Sequence, residues 1–464
     1  MKNSALCPLD GRYSGRLGAL RSVMSEAAFV ASRVRAELAW FELLSTLHFS
    51  HFKALSVSEK QLLTKLKSLS EEDVELVRAL EFEGAQGIPP TKHDVKAVEY
   101  FLKLRLQHTS LKDRLEWLHF ALTSEDINSA AYALLLADGL EKALLPTLEK
   151  LQKALLKLAR KEARSVLLAR THGQPAVPTT FGKEIRVFEA RLARQLAELK
   201  TRKISFKFGG AVGNFNAHTA VFPQINWPRT VQKMATAFNK GRKIKLFLSP
   251  LSTQVDNRDT YAELFDNLRR VHVILLGLCR DMWQYISAGL VQQQTRAGEV
   301  GSSTMPQKVN PIDFENAEGN LQLADALLEF FANKLPLSRL QRDLSDSTAL
   351  RNMSVAFGYA LTAYLSLLKG LEKISFNRQA ARCELAAHPE VLAEGIQTIL
   401  RANGVTHAYE LLRDFTRGKQ VTSALLGEFI ESLPVDGQVK SKLRALTPET
   451  YVGLAGALAE GKDD

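Results

Sequence analysis

Cysteine is scarce in this chain. Cys7, Cys279 and Cys383 stand far apart in 464 residues, which excludes a CxxC zinc or redox site and argues against a disulfide framework. There is no HExxH and no Cys/His cluster, so no metal is expected. Long hydrophobic runs are also missing. The most apolar stretches, such as VHVILLGLC, contain polar residues and stop far short of a membrane span. The opening MKNSALCPLDGRYSG has no apolar stretch after its lysine, so no secretory signal is expected there. The expectation is a soluble, reduced, cytoplasmic protein with no membrane partner. Hydrophobic residues at 45% and charged residues at 24% are ordinary globular values and argue against disorder.

Acidic residues are absent over one long segment. Lys and Arg exceed Asp and Glu by 61 to 50, a formal charge of +11. Between Glu198 and Asp256 there is no acid, while Lys200, Arg202, Lys203, Lys207, Arg229, Lys233, Lys240, Arg242, Lys243 and Lys245 accumulate. Such a surplus suits anionic ligands, nucleic acid or a solvated surface alike.

Strand-like alternation is almost absent. Only IKLFLSP and the Gly-flanked KISFKFGGAVGNFN read as short extended pieces, so the fold class is all-α with at most a small hairpin. Stretches without Gly or Pro, namely 91–138, 183–208, 251–276 and 337–357, are each long enough for a long helix. Leu148, Leu151, Leu155 and Leu158 form one apolar stripe, and Leu264, Leu268, Val271 and Leu275 form another. The segment YAELFDNLRRVHVILLGLCRDMWQYISAGL is apolar on more than one face, which calls for association with other chains. A length about three times that of a typical domain allows a three-part chain, divided at residues 1–112, 113–370 and 371–464 around a central long-helix bundle.

Four loop-like segments interrupt this background. Gly301 to Pro311, GSSTMPQKVNP, offers two hydroxyls, a lysine and an asparagine on a Gly hinge; it suits closure over a small anion or a plain Ser/Pro loop. His172, in RTHGQP, sits in a turn between Gly and Pro, as a proton donor or as a hydrogen-bonded turn histidine. His93, in TKHDVK, lies just after Pro89-Pro90 at a helix start. Thr123 and Asp126, in TSEDIN, fit a capping box. His48, His51, His119 and His272 fall in helical patterns and read as packed or solvated. GGAVGN, at 209–214, lacks the strand-turn-helix context of a dinucleotide turn.

Taken together, the segments carry a resemblance. GSSTMPQKVNP resembles the signature of the fumarase/aspartase superfamily. RTHGQPAVPTTFGKE, TKHDVKAVEYF, LTSEDINSAAYAL, IDFENAEGN and RDLSDSTALRN narrow it to the adenylosuccinate lyase family in its longer bacterial form. The resemblance runs from LDGRYSGRL to the last helices. It implies a homotetramer with a many-helix core, sites shared between subunits, no cofactor, and elimination of fumarate from adenylosuccinate and from the related ribotide SAICAR.

The same resemblance implies roles for single residues. Ser302 would be the general base, though the sequence does not separate it from Ser303, and His172 the general acid. Lys308 and Asn310 would stabilise the doubly negative intermediate, with His93 nearby. Thr123, Ser124 and Gln254 would meet the carboxylates. Arg12, Tyr13, Arg342, Ser347 and Arg351 would grip the phosphate, because a planar guanidinium matches phosphate geometry. Lys92, Asp94 and Asn316 would complete the contacts. Lys92 departs from the pattern, since many long-form relatives carry asparagine there, and GAQGIPP precedes it where a shorter linker is expected. Other lyases of the superfamily, acting on argininosuccinate, malate or aspartate, are the nearest rivals. A basic helical nucleic-acid binder using residues 199–255 is the rival from another class, but it leaves the loop 301–311 unexplained.

Overall fold

The computed structural model describes residues 5–294, 305, 307–418 and 420–461. Helices dominate, the longest being Asp259–Ser287, Ile312–Lys334, Phe181–Thr201, Glu26–Ser45 and Met353–Glu372. Both predicted stripes face inward: Leu148, Leu151 and Leu155 are fully buried, as are Leu264, Leu268, Val271 and Leu275, while Leu158 is half-buried. Met353–Glu372 lies in the most apolar helical stretch of the chain and is a core helix, with Ala356, Phe357, Ala360, Ala363, Tyr364 and Leu367 buried.

Two of the Gly/Pro-free stretches are broken into more than one helix. Between Asp94–Leu106 and Ser124–Gly139 the chain turns through Lys112–Trp117, and His119 and Ala121 take left-handed backbone angles. Aromatic packing selects this break. Trp117 stacks on Phe49 and Phe52, and the indole N–H of Trp40 donates to the carbonyl of Phe120 at 2.9 Å. The stretch 337–357 divides at residues 351–352 into Ser345–Leu350 and Met353–Glu372.

The strand content exceeds the expected single hairpin and comprises three two-stranded ribbons among the described residues. Strands β1 (Val166–Thr171) and β2 (Gln174–Thr180) form an antiparallel hairpin. Strands β3 (Lys203–Phe206) and β4 (Lys245–Leu248) are the two predicted extended pieces, and they pair in parallel. Strands β5 (Val291–Gln293) and β6 (Ile374–Phe376) close a third, antiparallel ribbon.

Two compact units emerge, each assembled from separated parts of the chain. The first comprises residues 1–148, 195–273 and 319–364; the second comprises 149–194, 274–318 and 365–464. Within the second, residues from Leu392 to Leu443 enclose a core of their own, built on Ile396, Leu400, Leu412 and Ile430.

Candidate functional site

In the first unit the site begins at a helix N-terminus. Thr123 caps Ser124–Gly139, and its N–H donates to the Asp126 carboxylate at 2.9 Å, the capping box expected from the sequence. That carboxylate is fully buried and does more than cap. It accepts the N–H groups of Gly209 at 2.9 Å and Gly210 at 3.1 Å, and the Lys207 ammonium lies 2.7 Å from it. Lys207 also donates to the Gly210 carbonyl at 2.7 Å. GGAVGN is thus an anion-binding nest whose anion is the protein's own Asp126, which accounts for its superficial likeness to a phosphate loop. The desolvation cost of this buried pair is offset by the amide donors around it.

The neighbouring carboxylate organises the arginines. Glu125 accepts from Arg258 at 2.6 Å and from Arg342 at 2.9 Å, and Arg258 lies 3.2 Å from Asp346. Burial pushes the Glu125 pKa up, and the two guanidiniums only partly oppose it. Arg258 is itself buried and left-handed at φ 60°, a backbone conformation that a non-glycine residue holds only when its surroundings enforce it. The N–H of Gln254 donates to the Gln341 carbonyl at 3.2 Å, bringing the 254 loop beside Arg342.

A second carboxylate pairs residues far apart in sequence. Asp94 accepts from Arg351 at 2.8 Å and from Arg33, whose Nε also donates to Asn128 at 2.8 Å. Burial works to raise the Asp94 pKa, but Arg33 and Arg351 outweigh it and hold the group below the ordinary aspartate value. His93 caps the same helix: its Nδ1 accepts the Lys96 N–H at 3.3 Å. An accepting Nδ1 places the ring proton on Nε2, and the side chain is 51% exposed. Lys92, at φ 51°, directs its ammonium to the Phe82 carbonyl at 3.3 Å. Arg12 is exposed and Tyr13 half-buried in a turn tied by the Tyr13 N–H to Pro8 at 2.8 Å. The adjoining Cys7, Leu9 and Asp10 line a cavity of about 310 Å³ together with Arg351. Ser347 is half-buried on the short helix that carries Asp346.

The second unit presents His172 and the segment after the signature loop. His172 and Gly173, at φ 54° and 75°, form the two-residue turn between β1 and β2, the left-handed pair that a tight hairpin requires. The tip is exposed, while its base is fixed by Leu168 against Leu385 and Val391 and by the Arg170–Glu384 pair. Ser302 and Ser303 lie outside the described residues. Lys308 is exposed, its N–H on the Met305 carbonyl at 3.0 Å, and Asn310 is half-buried. Gln293 donates to the Val309 carbonyl at 3.1 Å and so ties this segment to β5. The Asn316 side-chain oxygen accepts from Ser366 at 2.8 Å, an interhelical bond where the sequence suggested a substrate contact.

Several residues escaped the sequence reading. Glu125, Lys207, Arg258 and Asp346 form the charged frame of the first unit, and only the adjacent acids of SEDIN hinted at it. His272 is packed as expected, between Asp325 at 2.5 Å and the Tyr364 hydroxyl at 2.6 Å.

Comparison with known proteins agrees over almost the whole chain. A family model described as lyase matches residues 54–323, and one described as adenylosuccinate lyase C-terminal matches 338–452. Adenylosuccinate lyase of Legionella pneumophila (strain Corby) is 43% identical over 98% of both chains. That of Escherichia coli (strain K12) is 42% identical over 97% of both. Among solved structures, a fumarate lyase from Mesorhizobium sp. BNC1 superposes with a TM-score of 0.73 at 18% identity, covering 95% of this chain and 96% of that one. The 3-carboxy-cis,cis-muconate lactonizing enzyme from Pseudomonas putida gives 0.70 at 22%, with 95% of each chain covered. These two likenesses establish the fold. With the full-length identities and both family models in agreement, the chain belongs to the adenylosuccinate lyase family.

Proposed function

We propose that the chain eliminates fumarate from adenylosuccinate, leaving AMP, and from SAICAR, leaving AICAR, in the cytoplasm and without a cofactor. The observation that carries this reading beyond family membership is the pair of carboxylate-held arginines: Glu125 orients Arg342 and Asp94 orients Arg351, both from the RDLSDSTALRN segment. Arginines held by buried or half-buried acids are preorganised donors for a phosphate-bearing substrate.

The chemistry asks for three things. A base removes the proton from the carbon next to a carboxylate; Ser302, or its neighbour Ser303, is assigned this step. The electron pair left on carbon forms the new C=C bond as the C–N bond breaks. The departing nitrogen takes a proton from His172. Between these events negative charge accumulates on the carboxylate, where Lys308 and Asn310 supply fixed positive charge and a hydrogen-bond donor. His93, with its proton on Nε2, serves as a donor nearby. Thr123, Ser124 and Gln254 hold carboxylates, Arg12, Tyr13 and Ser347 join the arginines at the phosphate, and Lys92 and Asn316 take peripheral places.

The proposal includes a homotetramer with shared sites and the tripartite division at 1–112, 113–370 and 371–464. The exposed position of His172 on a braced hairpin supports sharing, because a proton donor there is free to serve another chain. Val273 and Trp283 on one long helix, and Leu323 and Phe330 on another, are large apolar side chains left 45–58% exposed, which supports their burial between subunits. The enclosed core from Leu392 to Leu443 supports a separate C-terminal part.

The direct test is incubation with adenylosuccinate, without added metal or cofactor, followed by assay for AMP and fumarate. Release of fumarate from argininosuccinate but not from adenylosuccinate refutes the assignment. Ser302→Ala and His172→Ala should each abolish turnover while leaving the fold intact. Mixing the two should restore activity through hybrid assemblies, and no recovery after verified subunit exchange argues against shared sites.

A further inference from the structure

The basic segment 199–255 is only partly explained by the site described above. Lys207 serves the Asp126 nest, and Arg242 is not the solvated surface residue its sequence neighbourhood suggests. Its side chain is 7% exposed, with Nη2 2.8 Å from Asp138 and Nε donating to the Phe238 carbonyl at 3.0 Å. Its remaining nitrogen, Nη1, is buried without a hydrogen-bond partner and lies 4.0 Å from Glu141.

Arg242 lines an open cleft of about 750 Å³ in the first unit, formed by Glu26–Ser45, Val57–Leu66, the end of Ser124–Gly139 and the loop after Trp227–Phe238. Six cationic side chains line the cleft against three acids. The acids are already engaged: Glu42 holds Lys67 at 2.8 Å, Asp138 holds Arg242 and, at 3.2 Å, Arg35, and Glu141 accepts the Ile244 N–H at 2.5 Å. Lys60 and Lys240 are exposed and have no ion-pair partner among the described residues. Glu141 lies on a π turn at Leu140–Leu144, a local distortion that helices tend to keep at functional sites.

We propose that this cleft is a second anion site, taking a phosphate-bearing small molecule of nucleotide size. The volume falls in the range of small-molecule sites, and buried arginine with flanking ammoniums is the donor set that phosphate recognition uses. It is separate from the residues assigned to the elimination: Asp138 lies at the opposite end of its helix from Ser124, about 20 Å along the axis at 1.5 Å per residue.

The test is calorimetric titration of the full-length protein with inorganic triphosphate, in the presence of excess AMP and fumarate, beside the double variant Lys60→Glu, Lys240→Glu. Both lysines are exposed and outside the catalytic set, so fold and fumarate release should be unchanged. Wild type should bind about one equivalent per chain, with affinity falling as salt is added. The variant should bind at least about tenfold more weakly, the loss of one charge-assisted contact or more. Absence of saturable binding at millimolar triphosphate, equal binding by the variant, or tighter capture of single-stranded RNA than of triphosphate would each overturn the proposal.

Discussion

Replacing Asp126 by asparagine changes one atom and should cost far more than an isosteric substitution usually does. Both carboxylate oxygens face donors. Oδ1 receives Gly209 N–H and Lys207, Oδ2 receives Thr123 N–H, and Gly210 N–H is shared between them. An amide offers one acceptor and one NH2 group, so either orientation sets N–H against N–H. Lys207, with no exposed side-chain surface, would keep its charge and only the Gly210 carbonyl. Breaking a buried pair from one side costs about 3–5 kcal/mol, and a stranded buried donor adds about 1–3 kcal/mol. The reverse change, Lys207→Met, should cost less, because Asp126 retains three amide donors. The double variant Asp126→Asn, Lys207→Met should recover much of the loss, with a coupling of at least about 2 kcal/mol. The measurement is urea denaturation at fixed protomer concentration, since assembly shifts apparent stability. If Asp126→Asn lies within about 0.5 kcal/mol of wild type, the range of ordinary surface substitutions, the nest does not hold the loop and the argument fails. The same holds if Lys207→Met is the more damaging of the two.

Two further outcomes follow from other parts of the first unit. Burial alone would lower the His119 pKa, but Glu37, at 2.6 Å from Nδ1, more than reverses this and the pKa is raised. The pair's stabilisation is therefore fully present below the unfolded value of about 6.5 and is lost as pH rises through the folded value. The stability gap between wild type and Glu37→Gln should narrow as pH climbs from about 6.5; parallel pH profiles would sink this account. Gly213 has φ 78°, and a Cβ there would meet the Ser252 carbonyl oxygen at 2.3 Å. Gly213→Ala should destabilise by more than the roughly 1 kcal/mol of left-handed strain alone, read as a lower thermal midpoint; an unchanged midpoint would mean the loop adjusts freely.

Legibility in the sequence followed the range of the interactions. Thr123 and Asp126 were readable as a cap because a capping box is complete within four residues. KISF and IKLFL were readable as extended pieces because apolar, β-branched and aromatic residues crowd them locally. The β1–β2 hairpin was hidden by Pro175 and Pro178, which normally argue against a strand. In a ribbon of only two strands each strand has an outer edge, so a residue without N–H can sit in β2 without breaking a shared ladder. The break near His119 was equally hidden, since what selects it is Trp117 stacking on Phe49 and Phe52, more than sixty residues upstream in the chain.

The charged frame marks the limit most clearly. Asp126 and the GGAVGN loop each left a local signal, one as a cap and one as an ill-fitting phosphate loop. Each looked incomplete because the other half lies 83 residues away. A run of glycines in left-handed turns presents N–H groups that need an anion, and a buried aspartate needs donors; neither requirement names its partner in the sequence. The same reasoning applies to Arg242 and Arg258. Both are buried guanidiniums with nitrogens left without a hydrogen-bond partner, one in Arg242 and two in Arg258, yet their surroundings differ. Around Arg258 the nearest groups are Glu125 and Asp346, and Glu125 spends its other oxygen on Arg342, so burial there fixes an arginine of the proposed phosphate grip. Around Arg242 the acids are already committed and uncommitted lysines stand at the rim, so the surplus charge faces a cleft. Two members of the basic stretch that suggested nucleic acid thus part ways: Lys207 is an internal counter-ion, and Arg242 belongs to the proposed anion cleft.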